Sequence, residues 1–342
     1  SILCTIVFLV SGLCGCTAGG NREENLPKDQ KKLQVVTTIF PQYDFVRQIA
    51  GDNVSLTMLL KPGEETHSYE PTPQDIIAIQ NADLFIYVGG ENDEWVEDIL
   101  ESPEMKDVKR LRLVDCVGNI LAEEHVEGMK EERGHSHEDE EEESHDEEEH
   151  FLHSAEETEE EHNEHVHTMD EHVWTSPGNA IDIVEHITEE LCSLDSEHGQ
   201  TYKDNAEAYE TQLKELDTAF RDVVENAKNH TLLFGDRFPF RYFAAEYGLD
   251  YYAAFSGCAS DTEPSAATMA FLINKVKEEH IPVVLKMELS NDNIANAIAE
   301  ACDIPVKVFY SSHNISAKQF EAGVTYLDLM KENVETLKEA LR

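Results

Sequence analysis

Short β-branched, apolar runs recur along this chain, separated by stretches of helical spacing, and that alternation restricts the fold more than any other feature. Leu33-Gln34-Val35-Val36-Thr37-Thr38-Ile39-Phe40 reads as a buried strand. Pro41 then opens a helix through Ile49-Ala50 that stops at Gly51, with proline at the start and glycine just past the end. Val54–Leu60, Asp83–Val88 and Leu111–Val114 are further strands, with a helix over Pro73–Asn81. The pattern resumes downstream with strands at Thr231–Phe234, Tyr251–Phe255, Val283–Met287 and Val306–Phe309. Helices at Pro239–Tyr247, Pro264–Glu279, Asn291–Ala301 and Ala317–Leu341 accompany them. Such alternation predicts mainly parallel sheets covered on both faces, an α/β fold with two βα lobes.

Between the two series, Ile183, Val184, Ile187 and Leu191, then Tyr202, Ala206, Tyr209, Leu213, Leu216 and Phe220, recur at helical spacing to about Ala227. A helical stretch so placed suits a bridge between lobes. The expected organisation is a first lobe over 33–176, a linking helical region over 177–229 and a second lobe over 230–342. About 310 residues follow the first 32, enough for two cores rather than one.

One segment breaks the pattern. Glu123 to Glu164 holds 21 Asp and Glu against two bases, Lys130 and Arg133, and is dense in histidine. With few apolar residues it cannot offset the entropy of ordering, so 123–169 reads as a long loop inserted in the first lobe. It is either a solvated acidic spacer or a low-affinity metal collector, its carboxylates attracting cations and its imidazoles selecting among them. The chain's net charge of −45 argues against a nucleic-acid partner, which needs basic surface.

Ile2–Val10 is an apolar run too short for a permanent membrane span and reads as the core of a secretory signal. Leu13-Cys14-Gly15-Cys16 resembles a bacterial lipobox, in which cleavage before Cys16 leaves a cysteine that carries lipid. Residues 1–16 are then the signal and 17–32 a polar tether, placing the protein outside the cytoplasm on a lipid anchor. Cys116, Cys192, Cys258 and Cys302 are scattered without a CxxC pair, which speaks against a zinc-finger or redox motif and for mostly free, buried thiols.

Ligands of open α/β sheets gather beyond the carboxyl ends of the strands. Three such places carry metal-capable side chains: Pro62–Pro71 with Glu65 and His67, Gly235-Asp236-Arg237, and Tyr310–Asn314 with His313. His172 lies just before the bridging helices. Each has an ordinary alternative. His67 could be an exposed turn residue, His172 the end of the His-rich loop, and His313 a helix cap. Asp236 could pair with Arg237 or Arg241. His186, His198, His230 and His280 read as surface residues.

His67-Ser68-Tyr69-Glu70-Pro71-Thr72-Pro73, Asn81-Ala82-Asp83-Leu84, Asp170-Glu171-His172-Val173-Trp174-Thr175-Ser176-Pro177 and Phe240-Arg241-Tyr242-Phe243 fall in an order that resembles the zinc/manganese solute-binding lipoproteins of ABC importers. The likeness runs from Leu33 to Leu341. It implies two lobes joined by a long rigid helix, with one metal ion held in the cleft between them. Members bind the ion with four ligands. Two correspond to His67 and His172. A third family position, His or Glu, is Arg237 here, and the fourth, usually Asp, is His313. Arginine has no lone pair to offer. The implied set is therefore His67, His172 and His313, completed by Asp236, by Glu65 or by a water. Arg237 would instead hold a carboxylate such as Glu263 or Glu288.

Three nitrogens and one oxygen suit Zn²⁺ better than Mn²⁺. The resemblance implies a monomeric binding protein, not an enzyme, that delivers its ion to a separate ABC permease and cytoplasmic ATPase; no Walker A sequence and no permease-type span occurs in the chain. The competing readings are a manganese-binding relative, an envelope zinc hydrolase using a three-histidine site with an open water, and a surface adhesin on the same fold.

Overall fold

The computed structural model describes residues 32–64, 69–90, 93–129, 169–257 and 263–342. The apolar leader with Cys16, the residues Glu65 and His67, Cys258 and most of the acidic stretch lie outside the described residues. Cys116, Cys192 and Cys302 are free thiols, of which Cys116 is buried.

The first lobe runs β1 (Leu33–Thr37), α1 (Phe40–Ala50), β2 (Val54–Met58), α2 (Pro73–Gln80), β3 (Leu84–Tyr87), α3 (Glu94–Leu100) and β4 (Lys109–Arg112). Its four strands are parallel in the order β2-β1-β3-β4. α2 starts where the sequence dictates. Pro73 fills its first turn, while Thr72 and Asp75 exchange side-chain-to-backbone hydrogen bonds in a capping box. The short α3 carries no sequence signal of its own and forms because Val96 and Leu100 pack beneath β3 with Phe85 and Met105.

The second lobe runs β5 (Thr231–Phe238), α6 (Arg241–Tyr247), β6 (Asp250–Ser256), α7 (Ala266–Glu278), β7 (Val284–Lys286), α8 (Asn293–Cys302) and β8 (Val306–Val308). These strands are again parallel, in the order β6-β5-β7-β8. α9 (Ala317–Glu321) and α10 (Tyr326–Ala340) follow, so the single helix expected over Ala317–Leu341 is two. Thr325 and Asp328 form a capping box that starts the second one afresh.

The expected long bridging helix is also two: α4 (Pro177–Leu194) and α5 (Gly199–Glu225), packed against each other. Asp195 ends the first, and its carboxylate accepts from the His198 N–H and the Tyr202 hydroxyl, which turns the chain. The buried face of α5, Tyr202, Ala206, Tyr209, Leu213, Leu216 and Phe220, contacts α1 in the first lobe and α6 and α10 in the second. One apolar core is therefore continuous through both lobes, with smaller cores on the outer faces of the sheets. That differs from two separate cores, because the helix pair presents apolar side chains to both sheets' coverings at once.

The acidic insertion leaves and returns at one point. Ala122 bridges Met169 in antiparallel fashion, and the Asp170 N–H donates to the Leu121 carbonyl at 2.9 Å. Its first residues belong to the folded body: Glu124 pairs with Arg241 at 2.5 Å and accepts from the Tyr251 hydroxyl, and Met129 is buried.

Candidate metal site

In the first lobe the chain runs from β1 to β2 on one side and then crosses to β3 on the other, so β1 and β3 flank the switch point where ligands of such sheets gather. Thr38 and Ile39 follow β1, and Val88 follows β3. These three line a cavity of ≈ 20 Å³ with Leu60, Tyr69, Asp93, Glu171 and, from the second lobe, His313. That is space for a single water-sized occupant.

Beside this cavity the chain holds His172 through two hydrogen bonds to one carboxylate. The Asp170 carboxylate accepts twice, from the His172 backbone N–H at 2.9 Å and from its Nδ1 at 3.1 Å. An aspartate bonding its own backbone two residues on is a common local turn. With the carboxylate at Nδ1 the proton is assigned there, and Nε2 keeps its lone pair. Nε2 is buried and has no hydrogen-bond partner among the described residues. A buried imidazole nitrogen without a partner is costly unless something outside the protein binds it. Burial pushes the imidazole's pKa down, but Asp170, Glu171 and Glu123 outweigh it and the net direction is up.

His313 arrives from the other lobe. Its backbone N–H donates to the Ser311 hydroxyl at 3.2 Å, and Ser311 is held by Glu288, whose carboxylate accepts from the Ser311 N–H and hydroxyl at 2.7 Å each. The Trp174 indole N–H donates to the Ser311 carbonyl at 2.9 Å, tying the two histidine-bearing loops together. The rings of His172 and His313 meet edge to face at 5.5 Å between centroids, with the Trp174 indole 5.0 Å from His313. Gly257 completes the packing. A Cβ there would lie 3.3 Å from His172 Cε1 and 3.0 Å from the Phe238 carbonyl, so a side chain would press on the imidazole.

Asp93 is the other buried acid at the cavity. Its Oδ2 accepts from the backbone N–H of Val88 and Gly89 at 2.6 and 3.1 Å. Burial pushes it up to about 7; the Gly89 and Val88 bonds oppose that, and the nearby Glu171 charge adds to it.

The structure brings His172 and His313 together but not Asp236. Asp236 lies within the extended end of β5, where the pairing with β6 shifts register between Phe234 and Arg237. One carboxylate oxygen accepts from the Met287 N–H at 2.9 Å and from the Ser290 hydroxyl, and the other from the Arg237 N–H at 2.8 Å. This carboxylate closes the β5/β7 switch point of the second lobe through those bonds. Among the described residues no three of His, Cys, Asp or Glu are grouped to hold a metal. Glu288 serves Ser311, as described above. His186 and His198 bond locally, to the Asp182 carbonyl and to Asp195.

Sequence reasoning missed the roles of Asp170, Asp93 and Ser311. The Asp-x-His spacing carries a readable signal for the first. Asp93 and Ser311 have none, since only the fold brings them to the cleft.

These features define a two-lobed α/β binding fold with a histidine from each side of its cleft. The chain belongs to the family described as zinc-uptake complex component A, periplasmic (ZnuA), which matches residues 35–340. It is 32% identical over 309 residues to the zinc-binding lipoprotein AdcA of Streptococcus pneumoniae (strain ATCC BAA-255 / R6), covering 90% of this chain and 56% of that one. The chain thus spans about half the length of AdcA. It is 31% identical over 343 residues to the high-affinity zinc uptake system protein ZnuA of Bacillus subtilis (strain 168), covering 98% of this chain and 94% of that protein. The crystal structure of the Zn(II)-bound ZnuA-like domain of S. pneumoniae AdcA superposes with a TM-score of 0.68 at 28% identity, covering 91% of this chain and 99% of that domain.

Proposed function

We propose that this chain captures Zn²⁺ outside the cytoplasm and hands it to an ABC permease driven by a separate cytoplasmic ATPase, held at the membrane by lipid on Cys16. The observation that carries the reading is the buried Nε2 of His172, without a partner among the described residues, aligned by Asp170 and set beside His313. It is the arrangement of a metal ligand whose second nitrogen is oriented by a carboxylate. The zinc-binding relatives support the same cargo.

The ligands are His67, His172 and His313. Because Asp236 is engaged by Met287, Ser290 and Arg237, the fourth position falls to Glu65 or to a water. Three imidazoles favour Zn²⁺ over Mn²⁺, which takes carboxylate-rich sites. The acidic, His-rich insertion collects cations weakly beside the tight site. Calorimetry of the metal-free chain tests the reading: one tight Zn²⁺ equivalent is expected, and a parent chain that binds none, or prefers Mn²⁺ in direct competition, overturns it.

A further inference from the structure

His172 is fully buried, His313 is 6 % exposed, and the cavity beside them has room for one water-sized occupant. A hydrated ion therefore reaches neither ring unless part of the structure moves. Which part can move follows from what each histidine is fastened to.

The first lobe holds both. His172 lies two residues before Trp174, whose carbonyl accepts from the Tyr326 hydroxyl at 2.7 Å. His313 follows β8 in the chain, yet its segment is seated on the first lobe. The Phe40 N–H donates to the His313 carbonyl at 3.4 Å, and Ile315 is buried with Phe40 and Leu329. Asn314 donates to the Lys61 and Glu64 carbonyls at 2.9 Å each, just past the buried Leu59 and Leu60. Further on, the Arg47 guanidinium donates to the Val324 carbonyl at 2.9 Å, and the buried Asp44 carboxylate accepts from the Tyr326 N–H at 2.7 Å. The rings of Tyr43 and Phe320 meet at 5.3 Å between centroids, and those of Phe45 and Tyr326 at 5.1 Å. Tyr326 thus joins α1 to the Trp174 turn, and the Trp174 indole joins that turn to Ser311.

The second-lobe sheet reaches the pair with the loops after β6 and β7. Gly257 lies against the His172 ring, and Glu288 accepts from the Ser311 N–H and hydroxyl. The far half of α10 runs along β8, where the Thr336 hydroxyl donates to the Val308 carbonyl at 3.2 Å and Lys307 pairs with Glu339 at 3.0 Å. The two bodies stay joined there.

We propose that His172 and His313 ride together on one body, the first lobe with the segment 311–330, and that the cleft admits its ion by movement of the β5–β8 sheet away from this pair. Glu288 on Ser311 is the latch. This rests on the reading of both histidines as ligands. Because the metal-free chain keeps the two imidazoles paired, the ion meets them already ordered, and the second lobe sets how fast it leaves.

The test measures distances by pulsed electron paramagnetic resonance on the full chain. Spin labels go on encoded non-cysteine side chains at the exposed positions Gln80 in α2, Lys318 in α9 and Lys277 in α7. Between the Zn²⁺-loaded and metal-free chains the Gln80–Lys318 distance should hold, and the Gln80–Lys277 distance should lengthen or broaden. Glu288→Gln, which retains one acceptor, should release Zn²⁺ into excess chelator about tenfold faster than the parent, with its Gln80–Lys318 distance unchanged. Three results overturn the proposal and leave the capture reading standing: Lys318 moving with Lys277, an unmoved Lys277 in a chain that calorimetry shows to bind Zn²⁺, or an unchanged release rate. A chain that binds no Zn²⁺ brings down the capture reading and this proposal with it.

Discussion

His172 and His313 meet edge to face with 5.5 Å between ring centroids, one from the end of the first lobe and the other from the loop after β8. Among the described residues nothing bonds Nε2 of His172, which is buried. The proposed ligand set has both histidines act on one ion. His172→Ala and His313→Ala should each weaken Zn²⁺ binding by more than about a hundredfold, beyond what loss of an outer hydrogen-bonding partner does. Isothermal titration of the metal-free variants measures this, and retention of parent affinity by either variant removes that residue from the site.

Asp170 should act through His172 rather than on the ion. Its carboxylate oxygen accepts from both the backbone N–H and Nδ1 of His172. Asp170→Asn keeps an acceptor there but removes the charge that makes the imidazole a better donor to metal. Zn²⁺ affinity at neutral pH should fall about 10- to 100-fold with the fold intact. Unchanged affinity in chelator competition would show that the carboxylate serves only the turn.

Trp174 joins the two loops mechanically. Its indole donates to the Ser311 carbonyl, its own carbonyl accepts from the buried Tyr326 hydroxyl at 2.7 Å, and its ring packs on both histidines. Trp174→Phe leaves a buried carbonyl without its donor and a small void. It should cost about 2–3 kcal/mol in urea unfolding of the metal-free protein. A variant as stable as the parent would mean the loops are held by other contacts.

Asp93 makes metal-free stability depend on pH. Its folded pKa is raised from 3.8 to about 7, chiefly by burial, so the folded state keeps a proton that the unfolded chain releases. That stabilisation is complete below pH 3.8, is lost as pH rises toward about 7, and changes no further above it, where both states are ionised. The slope inside this window is about 1 kcal/mol per pH unit. Asp93→Asn retains an acceptor for Val88 and Gly89 but has no proton to lose. Denaturant curves with chelator present should show the variant gaining on the parent by about 2 kcal/mol from about pH 5 to about pH 7. Parallel pH profiles would assign the dependence elsewhere.

Because Ala122 and Met169 bridge the ends of the acidic insertion, the segment can be shortened without parting them. Excision of residues 130–167 leaves the Glu124 contacts and buried Met129 in place. The shortened chain should keep one tight Zn²⁺ equivalent and lose the additional weak ones in equilibrium dialysis. Loss of the tight equivalent as well would make the insertion part of the site.

Local chemistry determined much of this protein. Apolar or β-branched runs marked all eight strands, although β4 lies two residues before the expected Leu111–Val114 and β5 extends four residues further than its apolar run, and Pro73 with the Thr72–Asp75 box marked the start of α2. The apolar spacing of α4 and α5 was equally legible, because a helix buries one face whatever it packs on. Spacing could not show that these are two helices packed together, since the break depends on how Asp195 meets His198 and Tyr202. Asp236 shows the limit most clearly. Its chain position recommends it as a ligand, yet its carboxylate accepts from the Met287 N–H just past β7, a long-range pairing that residue order does not encode locally. His172 and His313 are ordinary histidines until the parallel sheets bring their loops to one cleft, where Asp170 orients one and Glu288, through Ser311, holds the other. Residue types chose the elements by short-range sterics and burial; which side chains became a site was decided by contacts between residues far apart in the chain.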